Sequence, residues 1–485
     1  MWRHGLLSLK RSLGVATEWR CSAAFGQTYP LAAPLSNVAS DVEGDDEEFR
    51  VFIVAGEPSG DVIGSRLMGS LRRLSPKPLR FSGVGGANME KEGLNSAFKM
   101  EDITVMGAAE LVPHMFRIWR RLRQTVAAAI DFEPHVVVTI DAKGFNFRVL
   151  RSLTAAYEKK KEQPPFLVHY VAPSYWAWKG GDARLDTLKE FVDHLLCILP
   201  FEAPMCKAHG VGATFVGHPV LEDAYMNVSS GDSNANRNWE MQGFGNKFRD
   251  QHSLQSDAKV ISVLPGSRAQ EVKRMLPLFR DTMHRLAEDY PDITAVIPTP
   301  QSSIVTNMVQ ESVSRWEVPS VILPAASDLE KYDAFAASNA GLCTSGTAVM
   351  QLLLARVPSV VAYRANPITE WLIKSRTKLE YISLPNILLN SPVVPEALFG
   401  ECTPDRLAFL LKQVLEDQKM QEQQRTAAEQ VLCMLAPPSS SLMYSGDASL
   451  LAADEHSQKP SMAAAATILD FFGLLDRPKK SPISY

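Results

Sequence analysis

Val51–Leu71, VFIVAGEPSGDVIGSRLMGSL, and Val260–Phe279, VISVLPGSRAQEVKRMLPLF, decide the fold between them. Each runs from an apolar strand, through a glycine turn, into a helix. Such a turn lets backbone N–H groups and a helix N-terminus face an anion, usually a phosphate. Its occurrence twice in one chain predicts two Rossmann-like domains facing each other across a cleft. Nucleotide-sugar enzymes have this arrangement more often than dehydrogenases do. Gly83–Asn88 (GVGGAN) does not complete a dinucleotide fingerprint, because Asn88 stands where the third glycine belongs. No NAD site and no other cofactor is expected.

Outward from these turns, apolar strands alternate with helices, the pattern of parallel sheets. The first set is Val51–Ala55, Leu79–Val84, Val136–Ile140, Phe166–Val171, Leu195–Ile198 and Thr214–Val216. The second is Val260–Leu264, Thr294–Ile297, Val321–Leu323, Ala340–Cys343 and Ser359–Ala362. Asn227–Ser256, rich in Ser, Asn, Gly and Gln, reads as a polar linker or surface insertion, and Pro437–Pro460 as a second solvated loop. An apolar helix follows at Met462–Leu475, too short to span a membrane and interrupted by Asp470.

The 485 residues suffice for two or three domains, and 46% apolar with 21% charged residues is ordinary for a globular chain. A net charge of −4 gives no electrostatic case for nucleic acid. The six cysteines show no C-x-x-C pairing and no zinc spacing, so neither a disulfide framework nor a metal site is expected, and a reducing compartment is. Residues 1–40 carry Arg3, Lys10, Arg11 and Arg20 against Glu18 alone. Basic, acid-poor and rich in Ser and Ala, this stretch reads as an organelle transit peptide, mitochondrial before chloroplast, with a disordered cytosolic tail as the other reading. The acidic run Asp41–Glu48 separates it from the first strand.

At the first turn, Gly56, Glu57, Ser59, Gly60 and Asp61 are candidates for ligand contact, and Asp61 also suits a helix cap. Asp141 follows the strand Val136–Ile140, at the carboxyl end where open α/β sheets place their ligands. By itself that position allows a catalytic carboxylate or a cap for the next helix. At the second turn, Gly266 and Ser267 offer backbone amides, and Arg268 a planar fork for phosphate oxygens, with Glu271 as its alternative partner. Ser345, Gly346 and Thr347 form a further turn after Ala340–Cys343.

These motifs, taken in order, resemble the lipid-A-disaccharide synthase family. The resemblance rests on AGEPSGD at Ala55–Asp61, GVGGAN, Met106-Gly107 with Glu110, and Ile140-Asp141-Ala142 with Phe145-Asn146. It continues through HYVAPSYWAW at His169–Trp178, Pro200-Phe201-Glu202, VGHP at Val216–Pro219 and LPGSR at Leu264–Arg268 with Glu271. TSGTA at Thr344–Ala348, Tyr363-Arg364 and YISLPN at Tyr381–Asn386 complete it, covering nearly everything between residues 50 and 435. With the leader, it points to a plant mitochondrial-type member, on the matrix side and peripheral to the inner membrane.

The resemblance implies a GT-B fold and an inverting glycosyltransferase. UDP-2,3-diacylglucosamine would donate its sugar to the 6-hydroxyl of 2,3-diacylglucosamine 1-phosphate, giving a β-1,6 disaccharide and UDP. It further implies Asp141 as base, Arg268 and Asn386 in the catalytic set, and Asn146, Ser345, Gly346, Thr347 and Gln351 among the substrate contacts. Charge stabilisation would come from protein groups alone. The implied domain plan is a leader and acidic linker (1–48), an acceptor domain (49–225), a polar linker (226–258) and a UDP-sugar domain (259–436). A flexible loop (437–460) and a C-terminal helix and tail (461–485) follow, the helix returning toward the first domain.

Two departures stand out. Gln351 replaces the family's usual Glu, losing a charge-assisted bond to the donor ribose, and in DAKGFN (Asp141–Asn146) Gly144 replaces the family's second Asp. The basic run that commonly follows W-A-W is also thinned, to Lys179–Arg184. Gln351 and Gly144 motivate one alternative, a non-catalytic lipid- or nucleotide-binding descendant; the shared architecture leaves another, a UDP-N-acetylglucosamine transferase or 2-epimerase. Finally, Pro113–Val126 (PHMFRIWRRLRQTV) reads as a basic amphipathic helix. Met115, Phe116, Trp119 and Leu122 are its candidate membrane contacts, and an ordinary core helix with a solvated arginine face is the plainer reading.

Overall fold

The computed structural model describes residues 48–103, 108–225, 241, 243–300, 302–438 and 459–475. The leader, the Met106-Gly107 motif, the Met115 side chain, half of the first polar stretch and most of the second lie outside them.

The first unit begins with β1 (Phe49–Ala55), α1 (Pro58–Leu74), β2 (Leu79–Val84), α2 (Ala87–Lys91) and β3 (Asn95–Ser96). Then come α3 (Ala108–Phe132), β4 (Val136–Ile140), α4 (Lys143–Lys160), β5 (Phe166–Tyr170), β6 (His194–Cys197) and β7 (Gly212–Phe215). Its seven strands are all parallel, in the order β3-β2-β1-β4-β5-β6-β7. β4 and β5 are buried along their whole length. This is what continuous VVVTI and FLVHY runs require when helices cover both faces.

The second unit holds α5 (Gly245–Gln251), β8 (Val260–Leu264), α6 (Ala269–Asp289), β9 (Thr294–Pro298), β10 (Ser320–Leu323), α7 (Asp328–Ala337) and β11 (Ala340–Thr344). It continues with α8 (Thr347–Leu354), β12 (Ser359–Tyr363), α9 (Pro367–Arg376), α10 (Leu384–Leu389), β13 (Glu396–Leu398) and α11 (Gln418–Leu435). This sheet is also parallel, ordered β10-β9-β8-β11-β12-β13. In both sheets strand order reverses beside the first strand, between β1 and β4 and between β8 and β11. These are the switch points where open sheets leave a crevice at their carboxyl ends.

α12 (Pro460–Phe471) packs on the first unit, with Ala463–Ala465, Ile468 and Leu469 in the core beneath β1 and α1. The small Ala side chains let the two helices approach closely, and Ser70 Oγ donates to Ser461 Oγ at 2.8 Å. Ser461 also donates through its backbone N and its hydroxyl to Glu222. Next to Glu222, Asp223 accepts from Arg66 of α1 (2.7 Å) and from the hydroxyl of Tyr332 in α7 (2.9 Å). One buried polar cluster thus ties the first sheet's helix, the crossover and the second unit together.

The stretch expected to be a polar linker is only partly one. α5 lies within it, anchored by buried Phe248 in a small core with Ala334 and Ala337 of α7. One aromatic residue suffices to dock a short, otherwise polar helix.

Candidate active site

The turn after β4 carries backbone strain. Asp141 and Ala142 both adopt left-handed conformations, φ 48° and 39°, each costing about 1–3 kcal/mol for a residue with a side chain. Asn146 holds the turn: its amide donates to the carbonyls of Ile140 and Asp141, both at 2.9 Å. Across from it, Gly56 ends β1 so close to Ala142 that a Cβ there would meet the alanine Cβ at 2.7 Å. The first and fourth strand ends are pressed together at the switch point, and the Asp141 carboxylate stands at its mouth.

Glu57, the N-cap position of α1, sits beside this carboxylate. Its Oε2 accepts from Arg268 Nη2 of the second unit at 2.8 Å, and Glu271 lies 3.7 Å from the same guanidinium. Burial first, and then the Glu57 charge, raise the Asp141 carboxyl above the usual range; Arg268 and Lys143 pull it back. Lys143, at the first position of α4, is itself lowered by burial and by Arg184, with Asp141 opposing.

On the facing unit, a cavity of about 190 Å³ opens at the ends of β8, β11 and β12. Arg268, Glu271, Arg274, Ser345, Tyr363 and Arg364 are among its lining residues. Gly266 makes the turn possible: its φ is 119°, and a Cβ there would meet Glu271 Oε2 at 2.7 Å. Ser345 Oγ donates to the Ile382 carbonyl at 3.1 Å, and Gly346 (φ 139°) and Thr347 open α8. Three guanidinium groups around one concave space make a receptor for a polyanion. Arg274 and Arg364 were not singled out as site residues from the sequence, although Tyr363-Arg364 stands at a strand end and Arg274 lies on the helix that Arg268 opens.

The structure corrects several expectations. Asp61 does not face a ligand or cap its own helix. It is buried and accepts from the backbone N–H groups of Gly86, Asn88 and Met89 and from the Asn88 amide, at 2.8–3.0 Å, so it caps α2. Gly60 is buried in the first turn of α1, beside Ala55 and the Ile140 carbonyl. Asn146 is wholly buried under the Asp141 turn. Asn386 is also wholly buried, donating to Val394 O and Glu396 Oε1 and accepting from Val394 N. It shapes the loop whose Ile382 carbonyl receives Ser345. Ser59, Ser267 and Thr347 are exposed at their turns, and Gln351 is half-buried on α8.

α3 runs well beyond the expected Pro113–Val126. Leu122 packs with Ile118 and Val126 on the first unit's core, so it does not face outward. Phe116 (76% exposed) and Trp119 (50%) do, with Arg123 stacked 4.7 Å from the Trp119 ring.

Two parallel sheets meeting at their switch points define the GT-B class of fold. Among solved structures, the chain is similar to UDP-GlcNAc 2-epimerase from Neisseria meningitidis bound to UDP-GlcNAc. There the TM-score is 0.52 at 12% identity, covering 80% of this chain and 99% of that one. It is also similar to an S. aureus MnaA–UDP co-structure, with TM-score 0.51 at 11% identity, covering 79% and 95%. At such identities the likeness concerns the fold alone.

Sequence similarity goes further. The family model described as lipid-A-disaccharide synthetase matches residues 51–442, and the chain belongs to this family. It is 52% identical over 428 residues to a protein of Arabidopsis thaliana named "Probable lipid-A-disaccharide synthase, mitochondrial", covering 88% of this chain and 92% of that one. Lipid-A-disaccharide synthases of Rhodospirillum centenum (44% over 374 residues, covering 77% and 87%) and Pseudomonas aeruginosa (36% over 372 residues, covering 77% and 91%) are further relatives.

Proposed function

We propose that the protein condenses UDP-2,3-diacylglucosamine with 2,3-diacylglucosamine 1-phosphate, the reaction its resemblance to the lipid-A-disaccharide synthases implies. The observation that carries the reading is the pairing of a strained, pKa-raised carboxylate at one switch point with an arginine-lined cavity at the other. Asp141 takes the proton of the acceptor 6-hydroxyl as its oxygen attacks the anomeric carbon from the face opposite the leaving group. The bond from that carbon to the diphosphate oxygen breaks, and the electron pair leaves with UDP. Arg268, with Arg274, Arg364 and the amides of Gly266 and Ser267, receives the developing charge. A base on one domain and an anion receptor on the other account for inversion without a covalent intermediate.

Phe116 and Trp119 on α3, interleaved with arginines, suit the surface of a membrane holding acylated substrates. The name of the Arabidopsis relative and the acid-poor leader support a mitochondrial location, on the matrix side and peripheral to the inner membrane. The test is acceptor-dependent UDP release by the purified protein, with the product mass measured, beside the Asp141→Asn variant. A disaccharide from the wild type and a loss of about 10²-fold or more in the variant, with UDP binding kept, is expected. A folded protein that binds UDP and transfers nothing overturns it.

A further inference from the structure

α9, Pro367–Arg376, departs from the way helices are usually held. Among its described side chains none is buried. A ten-residue helix is marginal alone and ordinarily persists by burying an apolar face. This one is instead pinned by polar contacts. Asn366 Oδ1 accepts from Thr369 N at its start (2.7 Å), and Gly400 N donates to Glu370 Oε1 (3.0 Å). At its end, the Arg376 and Ser375 carbonyls accept from the backbone N and Nζ of Lys179, both at 2.8 Å. Thr377 forms an antiparallel bridge with Trp178. Meanwhile Trp371 is 69% exposed and its neighbour Leu372 41%.

The charges around these two side chains are mostly positive. Lys179, Lys374, Arg376 and Lys378 stand against Glu370, which pairs with Lys374 at 3.2 Å, and Asp182, which pairs with Lys378 at 3.2 Å. The helix also has a defined place. It follows β12, whose end supplies Tyr363 and Arg364 to the cavity, and its last turn meets the residues that follow the aromatic loop of the first unit. It therefore stands at the rim where the two domains meet.

We infer that α9 is a second membrane-contacting surface, belonging to the nucleotide-side domain, in which Trp371 and Leu372 enter an anionic lipid surface and the surrounding lysines and Arg376 meet its headgroups. An exposed tryptophan beside leucine, flanked by cations, has the chemistry of an interfacial anchor. The inference rests on the membrane reading given above for its lipid, but on independent residues. Its consequence is that each domain has its own foothold, and the cleft between them opens toward the bilayer.

The test is flotation of the full chain with vesicles of phosphatidylcholine alone and of phosphatidylcholine with phosphatidylglycerol. Wild type is compared with Trp371→Ser/Leu372→Ser and with Phe116→Ser/Trp119→Ser. Because Trp371 and Leu372 are exposed, their double variant keeps the wild-type circular dichroism and UDP affinity. It is expected to lose about tenfold in partitioning to the anionic vesicles. Arg376→Glu is expected to weaken binding to those vesicles alone. If the α9 variant floats like wild type while the α3 variant does not, the second surface is refuted and the first stands. Failure of the wild type to float at all refutes both. A change of sedimentation with unchanged flotation assigns the face to a second copy of the chain and also overturns the proposal.

Discussion

Glu57→Gln isolates the charge that couples the two turns. Glu57 Oε2 holds Arg268 Nη2 at 2.8 Å, and the Glu57 charge is the second cause, after burial, that raises Asp141. The amide keeps the size and an acceptor oxygen but removes the charge. Its effects on Asp141 run in one direction: a repulsion disappears, and the pull of Arg268 is no longer shared. The pair is partly exposed, 48% for Arg268 and 30% for Glu57, so water screens the coupling, and the substitution lowers the Asp141 pKa from its raised position.

Asp141 acts as base only when ionised, so its pKa sets the acidic limb of the kcat/KM profile. A raised carboxyl that is lowered by the substitution becomes competent at lower pH, and the acidic limb moves to lower pH. UDP affinity rises by at most about fivefold, since an exposed pair worth about 0.2–1 kcal/mol no longer has to be broken. A pH series of acceptor-dependent UDP release, with UDP titrated calorimetrically, reads both. An acidic limb that stays put or moves upward refutes the coupling, whatever happens to the maximal rate.

Gly266→Ala forces a side chain into φ 119° and onto Glu271; UDP affinity should fall about tenfold, read by the same calorimetry, with the fold intact by circular dichroism. Asn386→Ala leaves Val394 N and Glu396 without their buried partner, at about 2–4 kcal/mol. It should lower Tm by several degrees, and a collapse of turnover at unchanged Tm would restore the residue to the catalytic set. Buried Glu202 accepts from Trp176 Nε1 at 3.0 Å, and burial pushes its carboxyl up to about 7. A raised acid stabilises below its unfolded pKa and loses that contribution as pH rises through the folded value. The Glu202 contribution should therefore fall by about 3 kcal/mol between pH 4.5 and 7.5, read as the difference between wild-type and Glu202→Gln stability to urea across that range, because buried His169, His194 and His218, lowered by burial, titrate in the opposite sense in both proteins.

The apolar runs made the sheets legible, because strands buried on both faces must be continuously apolar. Asn95–Ser96 and Glu396–Leu398 were missed because edge strands of two or three mixed residues carry no such run. α5 was hidden in a polar stretch because one Phe248 docks it. Within the site, the positions of Asp141 and Arg268 after their strands marked them as candidates, and the family resemblance implied their roles. Lys143, Arg274 and Arg364 were not, since their convergence is tertiary. Asp61, Asn146 and Asn386 show the limit of motif reading: a residue that touches substrate and one that shapes the loop look alike as letters. What separates them is burial and filled hydrogen-bonding capacity.

Two turns of one build end with opposite character, and the N-terminal residue of each helix is the reason. An unfilled helix N-terminus favours an anion. At α1 the N-cap position is Glu57, whose carboxylate makes no cap hydrogen bond but adds its charge to that of Asp141, so the turn disfavours phosphate and suits a hydroxyl about to lose a proton. At α6 the N-cap position is Arg268, reinforced by Arg274 and Arg364, so cation and helix end act together on an incoming diphosphate. In the proposed reaction, proton acceptor and anion receptor therefore sit on different domains. The Glu57–Arg268 pair joins them across the cleft, while the Arg66–Asp223–Tyr332 cluster fixes the domains behind it. A donor diphosphate competes with Glu57 for the same guanidinium. Capturing it leaves two carboxylates side by side at the acceptor turn, which strengthens Asp141 as a base when the leaving group is in place.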